Sequence, residues 1–173
     1  MLIDLSDVLT KEGKVEKAEA PLEMTVFDGG RGSFPILEKL PVSFEFANVK
    51  KGKARIRGKA EFVFAAACDR CLTEVPVKLA LDFDRPVAAS DAEEDEETDD
   101  RSFMDGCQLN TGTFVYNEIM ENWPAKILCR DDCRGLCPVC GQNRNMGDCG
   151  CDTFVPDPRM AAIQDIFKRD KEV

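Results

Sequence analysis

The chain has 173 residues, nine cysteines, no histidine and a formal net charge of −10. Without histidine it can assemble no Ser-His-Asp triad, no Cys-His nucleophile pair and no histidine-ligated catalytic zinc. Any zinc here is held mainly by thiolates, and thiolate sites that keep no open position are structural. The N-terminal stretch MLIDLSDVLTKEGK has neither a basic nor an apolar region, and no apolar run approaches about 18 residues, so neither a secretory signal nor a membrane span is expected. The expectation is a cytoplasmic protein, and in that compartment clustered cysteines are more often metal ligands than disulfides.

Residues 1–86 are expected to form a β-rich domain. Leu22–Phe27 and Val42–Phe46 alternate apolar and polar positions, the period of a half-buried strand, and Gly29, Gly30 and Gly32 mark a loop between them. Ala54–Ala66 is the longest candidate strand. Ala54, Ile56, Gly58, Ala60, Phe62 and Phe64 fall on one face, and Lys53, Arg55, Arg57, Lys59 and Glu61 on the other. Val75–Phe83 alternates in the same way, and short connections of this kind suit antiparallel hairpins.

Residues 87–105 read as an acidic linker. Asp91–Asp100 carries eight acidic residues and no basic one, the composition of a solvated tether, so most of the net charge belongs to this stretch and not to a binding surface. Residues 106–173 are expected to be helical and cysteine-rich. Thr113–Trp123 predicts a helix with Val115, Ile119 and Trp123 spaced by four and Pro124 as its stop. Asp157 can cap a further helix entered through Pro158, with Met160, Ile163 and Phe167 as its apolar stripe. The fold class expected is α+β: an antiparallel β-sheet or partial barrel, followed by helices and a cysteine-rich zinc module. There is no internal repeat and no dinucleotide or Walker-type glycine fingerprint.

Eight cysteines form four pairs: Cys68/Cys71, Cys129/Cys133, Cys137/Cys140 and Cys149/Cys151. Two cysteines two or three residues apart can bend around one ion with both sulfurs about 2.3 Å from it. Gly141 relieves the tight turn that follows the third pair. The set predicts two structural zinc ions; an iron–sulfur centre also accepts four thiolates, and spacing alone does not exclude it. A redox dithiol is the rival reading of any single CxxC, but that motif sits between a strand and a helix, whereas Cys68 and Cys71 fall at a hairpin tip. Distance along the chain pairs Cys137/Cys140 locally with Cys149/Cys151, leaving Cys68/Cys71 to join Cys129/Cys133 across the linker. A competing grouping puts Cys129, Cys133, Cys137 and Cys140 around one ion. Cys107 belongs to no pair and reads as a buried or unliganded thiol.

Lys53, Arg55, Arg57 and Lys59 would project from one side of a strand, with Lys50 and Lys51 at its entrance. Such a row is either the ordinary solvent face of an antiparallel sheet or a track for a phosphate backbone. Arg70, Arg130, Arg134 and Arg144 could extend it. No aromatic residue is interleaved with the strand cations, which argues against a single-strand stacking platform.

Several separated motifs carry a resemblance. Cys68-Asp-Arg-Cys71-Leu72, Trp123-Pro124, the run CRDDCRGLCPVCGQNRN over Cys129–Asn145, Cys149-Gly-Cys151 and Asp157-Pro158-Arg159, in this order, resemble the YceD family over nearly the whole chain. The chain departs from many relatives at Arg144, where an apolar residue is usual. The resemblance implies a large-subunit ribosomal RNA accumulation protein. We therefore expect a non-enzymatic ribosome biogenesis factor supporting accumulation or processing of large-subunit (23S) ribosomal RNA, with that RNA, a ribosomal protein or both as partner. A zinc-stabilised adaptor for a ribosomal protein is the alternative, and a thiol redox protein a more distant one.

Overall fold

The computed structural model describes residues 1–30, 32–89 and 102–152. Its elements run β1 (Leu2–Asp4), α1 (Ser6–Thr10), β2 (Val15–Ala20), β3 (Val26–Asp28), β4 (Ser33–Lys39), β5 (Val42–Lys50), β6 (Lys53–Ala67), β7 (Glu74–Ala88), β8 (Met104–Asp105), β9 (Gln108–Asn110) and α2 (Thr111–Asn122). Of the acidic linker expected over 87–105, residues 90–101 lie outside the described residues, as does the helix expected from Asp157, while Val87 and Ala88 end β7 and Met104–Asp105 form β8. No helix among the described residues is long and apolar enough to cross a membrane.

The strongest alternation in the sequence makes the longest strands. β6 and β7 are 15 residues each and pair antiparallel in unbroken register, from Lys53↔Ala88 to Ala67↔Glu74. On the other edge of β6, β5 pairs with the half from Lys53 to Lys59, and β4 with Phe62–Phe64. β4 and β5 thus lie end to end along β6, with β3 flanking β4 and β2 flanking β5. One face of this six-stranded sheet is apolar: Ala54, Ile56, Ala60, Phe62, Phe64 and Ala66 of β6 are buried, together with Phe44, Phe46, Leu81 and Phe83. Gly58 lies in the same row because nothing larger fits. A Cβ there would stand 2.0 Å from the Ser43 carbonyl oxygen and 2.7 Å from the Phe83 ring.

α2 covers the apolar face. Asn110 Oδ1 accepts from the backbone N–H groups of Gly112 and Thr113, which starts the helix two residues before the expected Thr113. Phe114, Val115 and Ile119 are buried against the sheet, and Phe114 meets Phe44 and Phe83 at centroid distances of 6.0 and 5.1 Å. Glu118 is buried too, its carboxylate accepting from Arg85 Nε of β7 at 2.7 Å. The small sheet of β1, β9 and β8 pairs Ile3 with Leu109 and adds both to this core. One core therefore takes residues from before position 86 and from after position 106.

Two expectations are revised. The strand expected over Leu22–Phe27 begins only at Val26; Leu22 is buried, but from a stretch that makes no ladder. Helices are also fewer than expected. Among the described residues only α1 and α2 are helical, and 124–152, where the cysteines lie, is built from turns and one isolated bridge, Leu136↔Asn143.

Candidate metal centre

The β6–β7 turn forms a cysteine knuckle. Cys68 N donates to Thr73 O at 2.8 Å, and Leu72 N donates back to Cys68 O at 2.9 Å. The turn forces Leu72 to φ +59°, a left-handed conformation that costs an L-residue roughly 1–2 kcal/mol. A second knuckle repeats the geometry with a residue suited to it. Gly141 N donates to Cys137 O at 2.9 Å, and Gly141 adopts φ +73° with nothing within 4 Å of where a Cβ would be.

Trp123 delivers the distant pair to the first knuckle. Its ring packs on Phe27, Phe34 and Phe64 at centroid distances of 4.9, 4.6 and 5.0 Å, which anchors the end of α2 on the sheet. Trp123 itself is extended (ψ 132°), as a residue before proline must be, and the chain turns back toward the knuckle at Pro124. There Asp69 clamps it twice: Asp69 N donates to Ile127 O at 2.8 Å, and Ile127 N donates to Asp69 Oδ2 at 2.7 Å. Arg70 adds a third tie, its Nη1 donating to Cys133 O at 2.9 Å while its own carbonyl accepts from Leu136 N. Sequence reasoning passes over Asp69 because only its place inside the CxxC loop marks it.

Eight thiols converge into two quartets. The sulfurs of Cys68, Cys71, Cys129 and Cys133 all lie within 4.8 Å of one another, and so do those of Cys137, Cys140, Cys149 and Cys151. Four thiolates about 2.3 Å from a tetrahedral ion stand about 3.8 Å apart. The observed Cys68–Cys133 and Cys71–Cys129 separations are 3.8 and 3.5 Å, so donor set and spacing both fit one such ion. The competing set of Cys129, Cys133, Cys137 and Cys140 is not brought together. Cys68, Cys71 and Cys133 are buried in a small cluster with Leu128 and Leu136, separate from the main core, whereas Cys140 of the second quartet is exposed. Cys107 joins neither quartet and packs, half-buried, against the main core.

Protons are shared unevenly within each quartet. Burial pushes the Cys68 thiol up, but hydrogen bonds from the backbone of Arg70, Cys129 and Cys71 outweigh it and bring it down to about 6. In the second knuckle the backbone of Cys140 and Val139 likewise brings Cys137 down to about 6. Cys129 is pushed up to about 12 by burial and then by its neighbours Cys71, Cys133 and Cys68, and Cys151 to about 12 by Cys140 and Cys149. The knuckle turns thus favour a thiolate at their first cysteine, and a bound cation would displace the protons that Cys129 and Cys151 hold.

A family model described as large ribosomal RNA subunit accumulation protein YceD matches residues 56–167, more than half of the chain. The chain belongs to the YceD family. The YceD match begins inside β6 and takes in both knuckles and all eight quartet cysteines. No curated protein and no solved structure matches the chain.

In this YceD-family chain Lys53, Arg55, Arg57 and Lys59 do share one face of β6, but acids on the next strand meet the last three. Asp84 takes ion pairs from both Arg55 and Arg57, the latter at 3.2 Å, and Lys59 pairs with Asp82 at 3.3 Å. Arg55, first of the two, holds the Asp84 carboxyl below its ordinary value. Register extends the pattern across the sheet, where Lys17, Glu45, Arg57 and Asp84 stand side by side on β2, β5, β6 and β7 with alternating sign. The acids are invisible to a reading of β6 alone, since only the β6–β7 register sets them opposite the cations.

Proposed function

We propose that the chain is a non-enzymatic cytoplasmic factor, stapled by two structural zinc ions, that supports accumulation or processing of large-subunit (23S) ribosomal RNA. Membership of the YceD family carries the ribosomal part of this reading. The all-thiolate quartets carry the zinc. Sulfurs within 4.8 Å of one another suit a single ion, whereas a multi-iron cluster, whose cysteines bind different irons, needs them set wider. The ion supplies folding free energy at these sites and no reagent. Metal analysis of protein purified without chelator should find about two zinc ions per chain; iron in their place would overturn the assignment.

For the RNA, crosslinking the tagged protein in cells and sequencing the attached RNA should recover large-subunit ribosomal RNA. Charge reversal at Lys53, Arg55, Arg57 and Lys59 should weaken binding and flatten its dependence on salt, and unchanged affinity and slope would remove this face from the interface. The alternating row Lys17, Glu45, Arg57, Asp84 favours a second reading, in which the sheet meets a ribosomal protein, because compensated charges attract phosphate weakly. A partner complex that survives RNase treatment would select it.

A further inference from the structure

The hairpin that carries Cys137 and Cys140 does more than hold its own quartet. Cys137 N donates to Gln142 O at 2.8 Å and Arg144 N to Gly135 O at 2.9 Å, which fixes residues 143–145 beside the first quartet. Asn145 Oδ1 accepts from Arg130 Nη2 and from the backbone N–H of Arg134, both at 2.8 Å. With its oxygen so engaged, the amide presents Nδ2 to Cys133 Sγ, 3.2 Å away. Asn143 Nδ2 donates at 3.4 Å to Thr73 Oγ1, which lies 3.3 Å from Cys71 Sγ. Once Cys71 is a thiolate, it can only accept, so the Thr73 hydroxyl becomes the donor and Asn143 holds it in place. The segment between Cys140 and Cys149, which belongs to the second quartet, therefore reaches one sulfur of the first directly, at Cys133, and a second through Thr73, at Cys71.

We infer that the two quartets are coupled metal sites: Asn145 and Asn143, positioned by the second quartet's hairpin, add outer hydrogen bonds to the first, directly at Cys133 and through Thr73 at Cys71, so that an ion in either tightens the other. This rests on the metal reading proposed above. The physical basis is charge. Four thiolates around a divalent cation leave two excess negative charges in a largely buried site, and N–H and O–H donors to sulfur disperse them. Outer ligands of this kind typically carry 10–100-fold in metal affinity. Reciprocity follows from linkage, since a second-site ion that pins the hairpin must itself be held more tightly once the first site is filled.

Cobalt(II) titration of the full chain, read by thiolate-to-cobalt absorption and by competition with a chelator, tests this. Cys140→Ser/Cys149→Ser leaves only the first quartet, and Cys68→Ser/Cys71→Ser only the second. Disabling the second quartet should weaken the first by about 5-fold or more relative to the parent. Asn145→Ala should weaken the first quartet about 10–100-fold, and in the Cys68→Ser/Cys71→Ser background, where no first-site ion can couple, it should leave the second unchanged. Asn145→Asp keeps the acceptor bonds to Arg130 and Arg134 but sets an anionic oxygen in place of the donor to sulfur, so it should show a selective loss at least as large. A purely structural role for Asn145 would disturb the second quartet at least as much, because the residue lies inside that loop. A loss at the second quartet in the Cys68→Ser/Cys71→Ser background as large as that at the first, or an unchanged first quartet, overturns the coupling while the metal reading stands. A parent protein that binds no cobalt at either quartet removes both.

Discussion

The two quartets use the same four donors and are closed by opposite means. Between Cys140 and Cys149 lie eight residues, and a hairpin with one bridge suffices to bring the sulfurs together. Cys71 and Cys129 are 58 positions apart, and no local turn can join them. For a flexible chain, closing the longer loop costs about 1.6 kcal/mol more than closing the shorter. The fold removes that cost by delivering Cys129 from an anchored helix end, through the Trp123 aromatic cluster and the Asp69–Ile127 clamp. The first quartet is thus a product of the β core, and the second a product of local sequence.

The largest effects should separate the two on this ground. Cys68→Ser is expected to lose about one metal equivalent, release 124–152 from the β6–β7 knuckle to protease, and destabilise the chain by more than about 3 kcal/mol. Cys140→Ser should also lose one equivalent but leave the sheet's melting temperature nearly unchanged. Equal losses of melting temperature in the two variants would erase the distinction. Phe114→Ala reaches the first quartet indirectly. Truncating this fully buried ring should cost about 3–5 kcal/mol, and in a denaturant series the first quartet should release its metal along with the sheet while the second holds its ion longer.

Glu118→Gln probes the same dependence more gently. It removes one of the two α2 carboxylate charges that Arg85 meets and leaves Glu121, and since Arg85 is half-exposed the expected cost is about 1–2 kcal/mol by thermal denaturation, with both ions retained. The smallest effects lie in the knuckles. Leu72→Gly relieves the left-handed strain and gives back part of it as chain entropy, for a net gain below about 1 kcal/mol. Gly141→Leu, at the equivalent place in the second knuckle, should cost about 1–2 kcal/mol in second-site stability, because the space is open and only the backbone objects.

Much of the scaffold is legible in the sequence where a period repeats. β6 shows it over Ala54–Ala66 and β7 over Val75–Phe83, and Val115 and Ile119 mark the buried face of α2. Cysteine spacing also separates a quartet closed locally from one that joins distant pairs. Strands of two or three residues, such as β1, β8 and β9, are too short to show any period, and their pairing of Ile3 with Leu109 spans the chain. β2 hides for another reason: VEKAEA buries only its last alanine fully, so its faces do not differ in polarity. The acids opposite the β6 cations depend on inter-strand register. Asn143 and Asn145 look like ordinary turn formers, and only the folded hairpin aims their amides at the other quartet.

The 58-position gap also sets a clock. A nascent chain grows at about 5–20 residues per second, so Cys68 and Cys71 exist for roughly 3–12 seconds before Cys129 is made. During that interval the first site is only half assembled, two thiols at the end of a hairpin with no partners yet synthesised. The second quartet has no comparable delay, since Cys149 and Cys151 follow Cys140 within about two seconds. Zinc supply and oxidants present during translation should therefore govern the yield of properly loaded protein through the first site far more than through the second.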